Sequence, residues 1–119
     1  PCALGATVND DTLKRLKCSI IAGAANNQLA QESVHGFKVM DQGIIYAPDF
    51  LINAGGVMNC YGEVAGLAQN QVMDMAENIY NTTLDIVKTS QSEKIPTYQI
   101  ANKKAEERIA SLTNIKKYF

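Results

Sequence analysis

The sequence predicts an α/β layer structure with few strands, and three observations carry that expectation. Two short, mostly apolar runs rich in β-branched residues, CSIIAG at 18–23 and GIIYAP at 43–48, end in glycine or proline, as strands of a buried parallel sheet do. Two later segments repeat apolar residues at helical spacing. The length, 119 residues with 46% hydrophobic, suits one compact domain whose core requires no disulfide framework or structural metal.

The elements follow in chain order. Asn9 or Asp10 can cap a short helix over 9–17, with Leu13 and Leu16 three apart on one face. The run at 18–23 lacks polar alternation, so a strand covered on both faces is expected there. A polar stretch containing His35 and Gly36 follows, readable as helix or loop. Then comes the second strand, stopped at Pro48, which cannot donate to a ladder. Past it, Val72, Ala76, Ile79, Thr83 and Val87 hold helical spacing over four turns. In the last segment Pro96 stands where a first-turn proline is tolerated, and Ile100, Lys104, Arg108 and Ala101, Ala105, Ile109 recur at helical intervals. Two strands make a poor sheet, and the opening PCALGA at 1–6, without an initiator Met, reads like a sequence entered midway.

Charge excludes some functions. Eleven Lys plus Arg against twelve Asp plus Glu leave a formal charge of −1 and no basic stripe for a phosphate backbone, so nucleic acid is not an expected partner. The longest nearly uncharged stretch, 43–62, is broken by Pro48 and glycines and is too polar at Asn53 and Asn59 to span a bilayer. Cys2, Cys18 and Cys60 form neither an even set nor a CxxC, and no metal-binding cluster accompanies them, which points to a reducing cytoplasm.

Chemistry is expected in the two loops that follow the strands, GAANNQ at 23–28 and NAGGV at 53–57. In a parallel α/β sheet the loops at the carboxyl ends line the ligand crevice, and small residues let a flat ring or ribose approach the backbone. Asn26 and Asn27 bring uncharged donors and acceptors suited to holding a carboxamide or orienting a carboxylate. The competing reading makes them turn and cap residues, with Gly55 and Gly56 a tight turn before a helix. His35 reads as a solvated loop histidine and Cys60 as a small apolar wall residue. Met73 and Met75 read as core or interface filling, and Glu106, Glu107 and Arg108 as a solvated helix face.

At these residues the sequence resembles a known family. PCALGA at 1–6, IIAGAANNQLA at 20–30, GIIYAPDFLINAGGV at 43–57 and AEERI at 105–109 are similar to leucine dehydrogenases, within the superfamily of glutamate, leucine, valine and phenylalanine dehydrogenases. The resemblance runs over nearly the whole chain. It implies reversible oxidative deamination of an L-amino acid to the 2-oxo acid and ammonia, with NAD taking the hydride in a cleft between two domains.

On this resemblance the chain is the last third of such an enzyme. Residues 1–60 are the later part of a partial Rossmann-like dinucleotide-binding domain, and 61–119 a C-terminal helical region packing back on it. The family's glycine-rich lysine motif, catalytic lysine, substrate-side aspartate, GxGxxG turn and acidic ribose ligand have no match here, so no catalytic residue is assigned. The resemblance implies that Ala3 and Leu4 border the NAD ribose and that Ala24, Ala25 and Asn26 lie beside the nicotinamide, with Asn26 also reaching the substrate carboxylate. Val57 and Cys60 are implied as the wall against the substrate side chain, three apart on one helix face, with Cys60 where leucine enzymes are expected to carry Val. A symmetric homo-oligomer is the family's habit. The alternatives are a phenylalanine or valine dehydrogenase, a nucleotide-binding or structural fragment without catalysis, and an interaction module built on the two terminal helices.

Overall fold

The computed structural model describes residues 1–115. In order it contains α1 (Asp10–Leu13), β1 (Ile20–Ile21), α2 (Glu32–Asp41), β2 (Ile45–Tyr46), α3 (Asp49–Ile52), α4 (Gly55–Ala65), α5 (Gln69–Glu93) and α6 (Thr97–Ile115). Residues 116–119, the end of the expected helical region, lie outside the described residues.

The two strands pair in parallel, with Ile20 opposite Ile45 and Ile21 opposite Tyr46. A further parallel bridge joins Val8 to Leu29. One core forms where α2 and the segments around the strands meet: Val8, Leu13, Ile21, Leu29, Val39, Ile44 and Tyr46 are all buried. A second lies between α5 and α6 at Ile86, Ile100 and Ala101, with Leu51 and Ile95 packed against it. Apolar burial on this scale is the dominant favourable term.

Several sequence expectations need correction. The first helix ends at Leu13; the chain turns at Arg15 and Leu16, whose N–H groups both donate to Thr12 O, and only Leu13 of the expected pair is buried. Its cap is as expected: Asn9 accepts from the Asp11 and Thr12 N–H groups. The first strand is not covered on both faces, since Ile21 is 4% exposed but Ile20 is 59% exposed. α2 and α6 pack against β2, so burial falls on one side of the ribbon.

The stretch around His35 is helix, and His35 is no solvated histidine: it is 5% exposed. Its Nδ1 takes the Gln31 N–H at 2.9 Å, satisfying a free donor at the start of α2, and its Nε2 lies 3.4 Å from Asp10 Oδ1. Beside it, Gly36 is required by close approach, because a Cβ there would fall 2.5 Å from the Tyr98 ring of α6. Gly55 and Gly56 are likewise not a turn before a helix but the first residues of α4.

The two long helices run as the spacing predicts. Within α5 Met75 is half-buried while Met73 is exposed, and in α6 Glu106, Glu107 and Arg108 face solvent. The helix seam is set by Thr97, whose Oγ1 donates to Tyr46 O at 2.7 Å in a buried bond, and by Ser90, whose Oγ donates to Ile95 O at 2.6 Å. These side-chain bonds tie the helical pair to β2 and to the turn between α5 and α6. No helix among the described residues is long and apolar enough to cross a membrane.

Candidate functional site

Parallel pairing puts the carboxyl ends of β1 and β2 on the same side, and the loops leaving them meet there. The first loop is shaped by Gln28, which is fully buried. Its Nε2 donates to Gly23 O at 2.7 Å and to Ala25 O at 2.9 Å, folding residues 23–28 around the side chain. Its backbone N–H donates to Asp49 Oδ2 at 3.0 Å. Asp49, the first residue of α3, also accepts the Phe50 N–H at 2.8 Å through Oδ1. One buried carboxylate thus holds the loop after β1 and starts the helix after β2, a favourable place for negative charge. Nearby, burial and the Asp49 charge push the Tyr46 phenol well above its ordinary pKa, so it stays a neutral hydroxyl.

The opening segment lies against the first loop. Ala25 N–H donates to Pro1 O at 3.2 Å and Ala6 N–H to Asn27 O at 2.7 Å, so Ala3 and Leu4 are tethered on both sides beside residues 24–27. The approach is close enough to exclude a side chain at position 23, where a Cβ would overlap the Pro1 carbonyl. Asn27 takes a left-handed conformation with φ of 53°, which asparagine tolerates better than most residues. Asn27 is therefore the turn residue that the competing reading described.

Asn26 is not. Its Oδ1 accepts a hydrogen bond from Asn53 Nδ2 across 27 residues of sequence, and the same Asn53 Nδ2 donates to Ala24 O at 3.3 Å. Asn53 caps the C-terminal end of α3, its N–H donating to Asp49 O at 3.0 Å. An exposed amide is thereby fixed where the two loops converge. Two residues further along the chain α4 begins; a Cβ at Gly55 or Gly56 would meet nothing within 4 Å. Val57 and Cys60 share one face of this helix, with Val57 69% exposed and Cys60 also exposed.

Chemically, this is a neutral, exposed surface of amide groups beside the helix face that carries Val57 and Cys60. Among the described residues no group of three or more His, Cys, Asp or Glu could hold a metal ion. Two cavities of about 320 and 350 Å³ lie elsewhere, the first among Val39, Ile44, Tyr46, Val87 and Thr97, the second among Asp10, Leu13, Lys38 and Gln42. None of the sequence-derived site residues lines either one.

The Glutamate/Leucine/Phenylalanine/Valine dehydrogenase family matches residues 1–116. The chain belongs to this family. It is 50% identical to a leucine dehydrogenase of Bacillus cereus over 114 residues, 96% of this chain and 31% of that protein. It is 47% identical to a leucine dehydrogenase of Bacillus subtilis over 119 residues, the whole chain and 32% of that protein. A solved structure of L-tryptophan dehydrogenase from Nostoc punctiforme superimposes with a TM-score of 0.89 at 41% identity, covering 96% of this chain and 34% of that one. The chain thus spans about a third of the length of the dehydrogenases it matches.

The structure brings Ala3, Leu4, Ala24, Ala25 and Asn26 into one cluster, and places Val57 and Cys60 on α4. Ala25 is buried, its N–H donating to Pro1 O and its carbonyl accepting from Gln28 Nε2, so it holds the loop together. Gln28 and Asn53 lie in the two loops expected to carry chemistry but were given no role of their own, and Asp49 was left out altogether. Their signals were faint: a glutamine ahead of an apolar leucine, an aspartate after Pro48, and an asparagine before a glycine pair.

Proposed function

We propose that this chain is the C-terminal part of an NAD-dependent L-leucine, or branched-chain amino-acid, dehydrogenase catalysing reversible oxidative deamination to the 2-oxo acid and ammonia. The observation that carries the reading is the fixed, uncharged Asn26 amide where two loops meet at the carboxyl ends of parallel strands, the position where open α/β sheets bind dinucleotides. NAD, when bound, supplies the hydride acceptor. The residues present fit one end of it: small side chains at Ala3 and Ala24, a tethered Leu4, a loop held in shape through Ala25, and an amide able to reach a carboxamide or a carboxylate. Residues 1–60 then form the later part of a Rossmann-like domain and 61–119 a helical region; that division falls inside α4.

Asn26 is assigned to the substrate carboxylate, and Val57 and Cys60 to the wall against its side chain. No lysine of this chain matches the family's lysine motifs, so the proton transfers that deamination needs are assigned to residues outside it. A cytoplasmic enzyme acting as a homo-oligomer on free amino acids accompanies this reading. The chain alone should show no turnover, and it should bind NAD at roughly millimolar or weaker, equivalent to about 4 kcal/mol, because it lacks the family's GxGxxG turn.

The test is NADH formation by the intact protein containing this chain, assayed with leucine, valine, isoleucine, phenylalanine and tryptophan. Aliphatic substrates are expected to give the highest kcat/KM. An aromatic preference would move the assignment to the phenylalanine or tryptophan enzymes, and absence of turnover with any of them would leave a non-catalytic fragment.

A further inference from the structure

We propose that Asn53 is a positioning residue that turns Asn26 into a pure hydrogen-bond donor toward the crevice, selecting an anionic acceptor such as a carboxylate. The inference rests on the dehydrogenase reading and deepens it.

The argument begins at a backbone carbonyl. A primary amide presents NH2 on one side and oxygen on the other, and a 180° flip costs an exposed, unconstrained side chain little. Ala24 O can only accept, so the Asn53 side chain, 3.3 Å away, must turn its NH2 toward it. The same nitrogen also reaches Asn26, and a nitrogen that already donates can meet Asn26 only at its oxygen. Asn26 Oδ1 is thereby held inward, and both hydrogens of its Nδ2 remain for the crevice. Polarity passes from backbone to Asn53 to Asn26, with no charge used.

The support beneath is rigid. Asn53 is fixed as the C-cap of α3, α3 is anchored through Asp49, and Asp49 holds the Gln28 N–H of the loop that carries Asn26. Both amides therefore hang from one buried tie, and their separation cannot drift independently. An amide so oriented welcomes a carboxylate or carbonyl oxygen and opposes an ammonium or N–H group, because a donor facing a donor loses a hydrogen bond without replacement. A carboxylate gains most, since a charged acceptor strengthens the bond.

The test uses the intact dehydrogenase with Asn53→Asp, Asn53→Ala and Asn53→Ser. Aspartate cannot donate to Ala24 O or to Asn26 Oδ1 but can accept from Asn26 Nδ2, so it should reverse the Asn26 amide. For Asn53→Asp we expect the KM for leucine and the inhibition constant of 4-methylpentanoate, a carboxylate without the amine, to rise roughly tenfold or more. Inhibition by 3-methylbutylamine, the amine without the carboxylate, and the KM for NAD should change less than about twofold. Asn53→Ser, whose hydroxyl can still donate to Asn26, should recover part of the loss, and Asn53→Ala should fall between the two. Equal changes for the carboxylate and amine inhibitors, or unchanged kinetics in Asn53→Asp and Asn53→Ser, would overturn the proposal. In either case activity of the parent enzyme would leave the dehydrogenase reading standing, whereas a parent inactive with every amino acid would overturn both.

Discussion

The two halves of the proposed site are built differently. The loop carrying Asn26 is supported from beneath by Gln28, from the side by Asn53 and from above by the opening segment, each through hydrogen bonds to residues distant in sequence or to main-chain carbonyls. The face carrying Val57 and Cys60 is an open helix surface, starting at two glycines with space around them. Polar recognition needs an orientation, which only a network can hold. An apolar wall needs only bulk at the right height, and a helix supplies that without further ties. The first half should therefore tolerate substitution poorly and the second tolerate it well, with changes in the second appearing as selectivity.

Gln28→Leu should expose the contrast most strongly. It removes the donors to Gly23 O and Ala25 O and leaves those carbonyls without that partner, so the chain should lose about 2–3 kcal/mol of stability. Thermal unfolding should show a midpoint lower by many degrees. Val57→Ala, on the exposed face, should cost less than about 0.5 kcal/mol. Similar losses for the two variants would erase the distinction between a braced loop and an open face.

Asn26→Ala moves the question from stability to chemistry. On the proposed dehydrogenase function, in the intact protein it should lower kcat/KM for leucine more than tenfold, about 1.4 kcal/mol of transition-state binding, with little change in melting temperature because the side chain is exposed. Near-normal kinetics would return Asn26 to the role of a loop residue. Val57→Phe should act more gently, penalising leucine relative to 2-aminobutyrate by a factor within the range set by about 1–3 kcal/mol for a changed pocket wall. A uniform loss over all substrates would contradict its assignment to the wall.

The smallest effect concerns a contact that belongs to neither half. The Lys38 ammonium donates to Asp10, and with His35 nearby it holds that carboxyl below its ordinary value. A depressed carboxyl contributes stability that is present above the unfolded-state pKa, about 3.9, and is lost as the pH falls through the folded-state value. Asp10→Asn should accordingly lower stability slightly at neutral pH, and the difference from the native chain should vanish on acidification below about pH 4. Because the pair is on the surface, added salt should shrink it. A difference persisting at low pH would mean that Asp10 matters through packing or capping instead.

Much of this protein was legible in the sequence. Apolar runs located both strands, helical spacing located α5 and α6, and the Asn9-Asp10 pair announced a capped helix start, because each of these depends on neighbours within a few residues. The family was legible too, through motifs spread along the chain. His35 and Gly36 misled, since a polar residue beside glycine looks like a loop until the Tyr98 ring packs over the glycine and the histidine caps its own helix. The roles of Gln28, Asp49 and Asn53 were likewise hidden. Local sequence by itself determined the two strands, the two long helices and that neutral amides follow the strands. Only the tertiary structure decided which of those amides is braced, and which way it faces, because a side-chain hydrogen bond between residues 26 and 53 exists only once parallel pairing has brought two strand ends together.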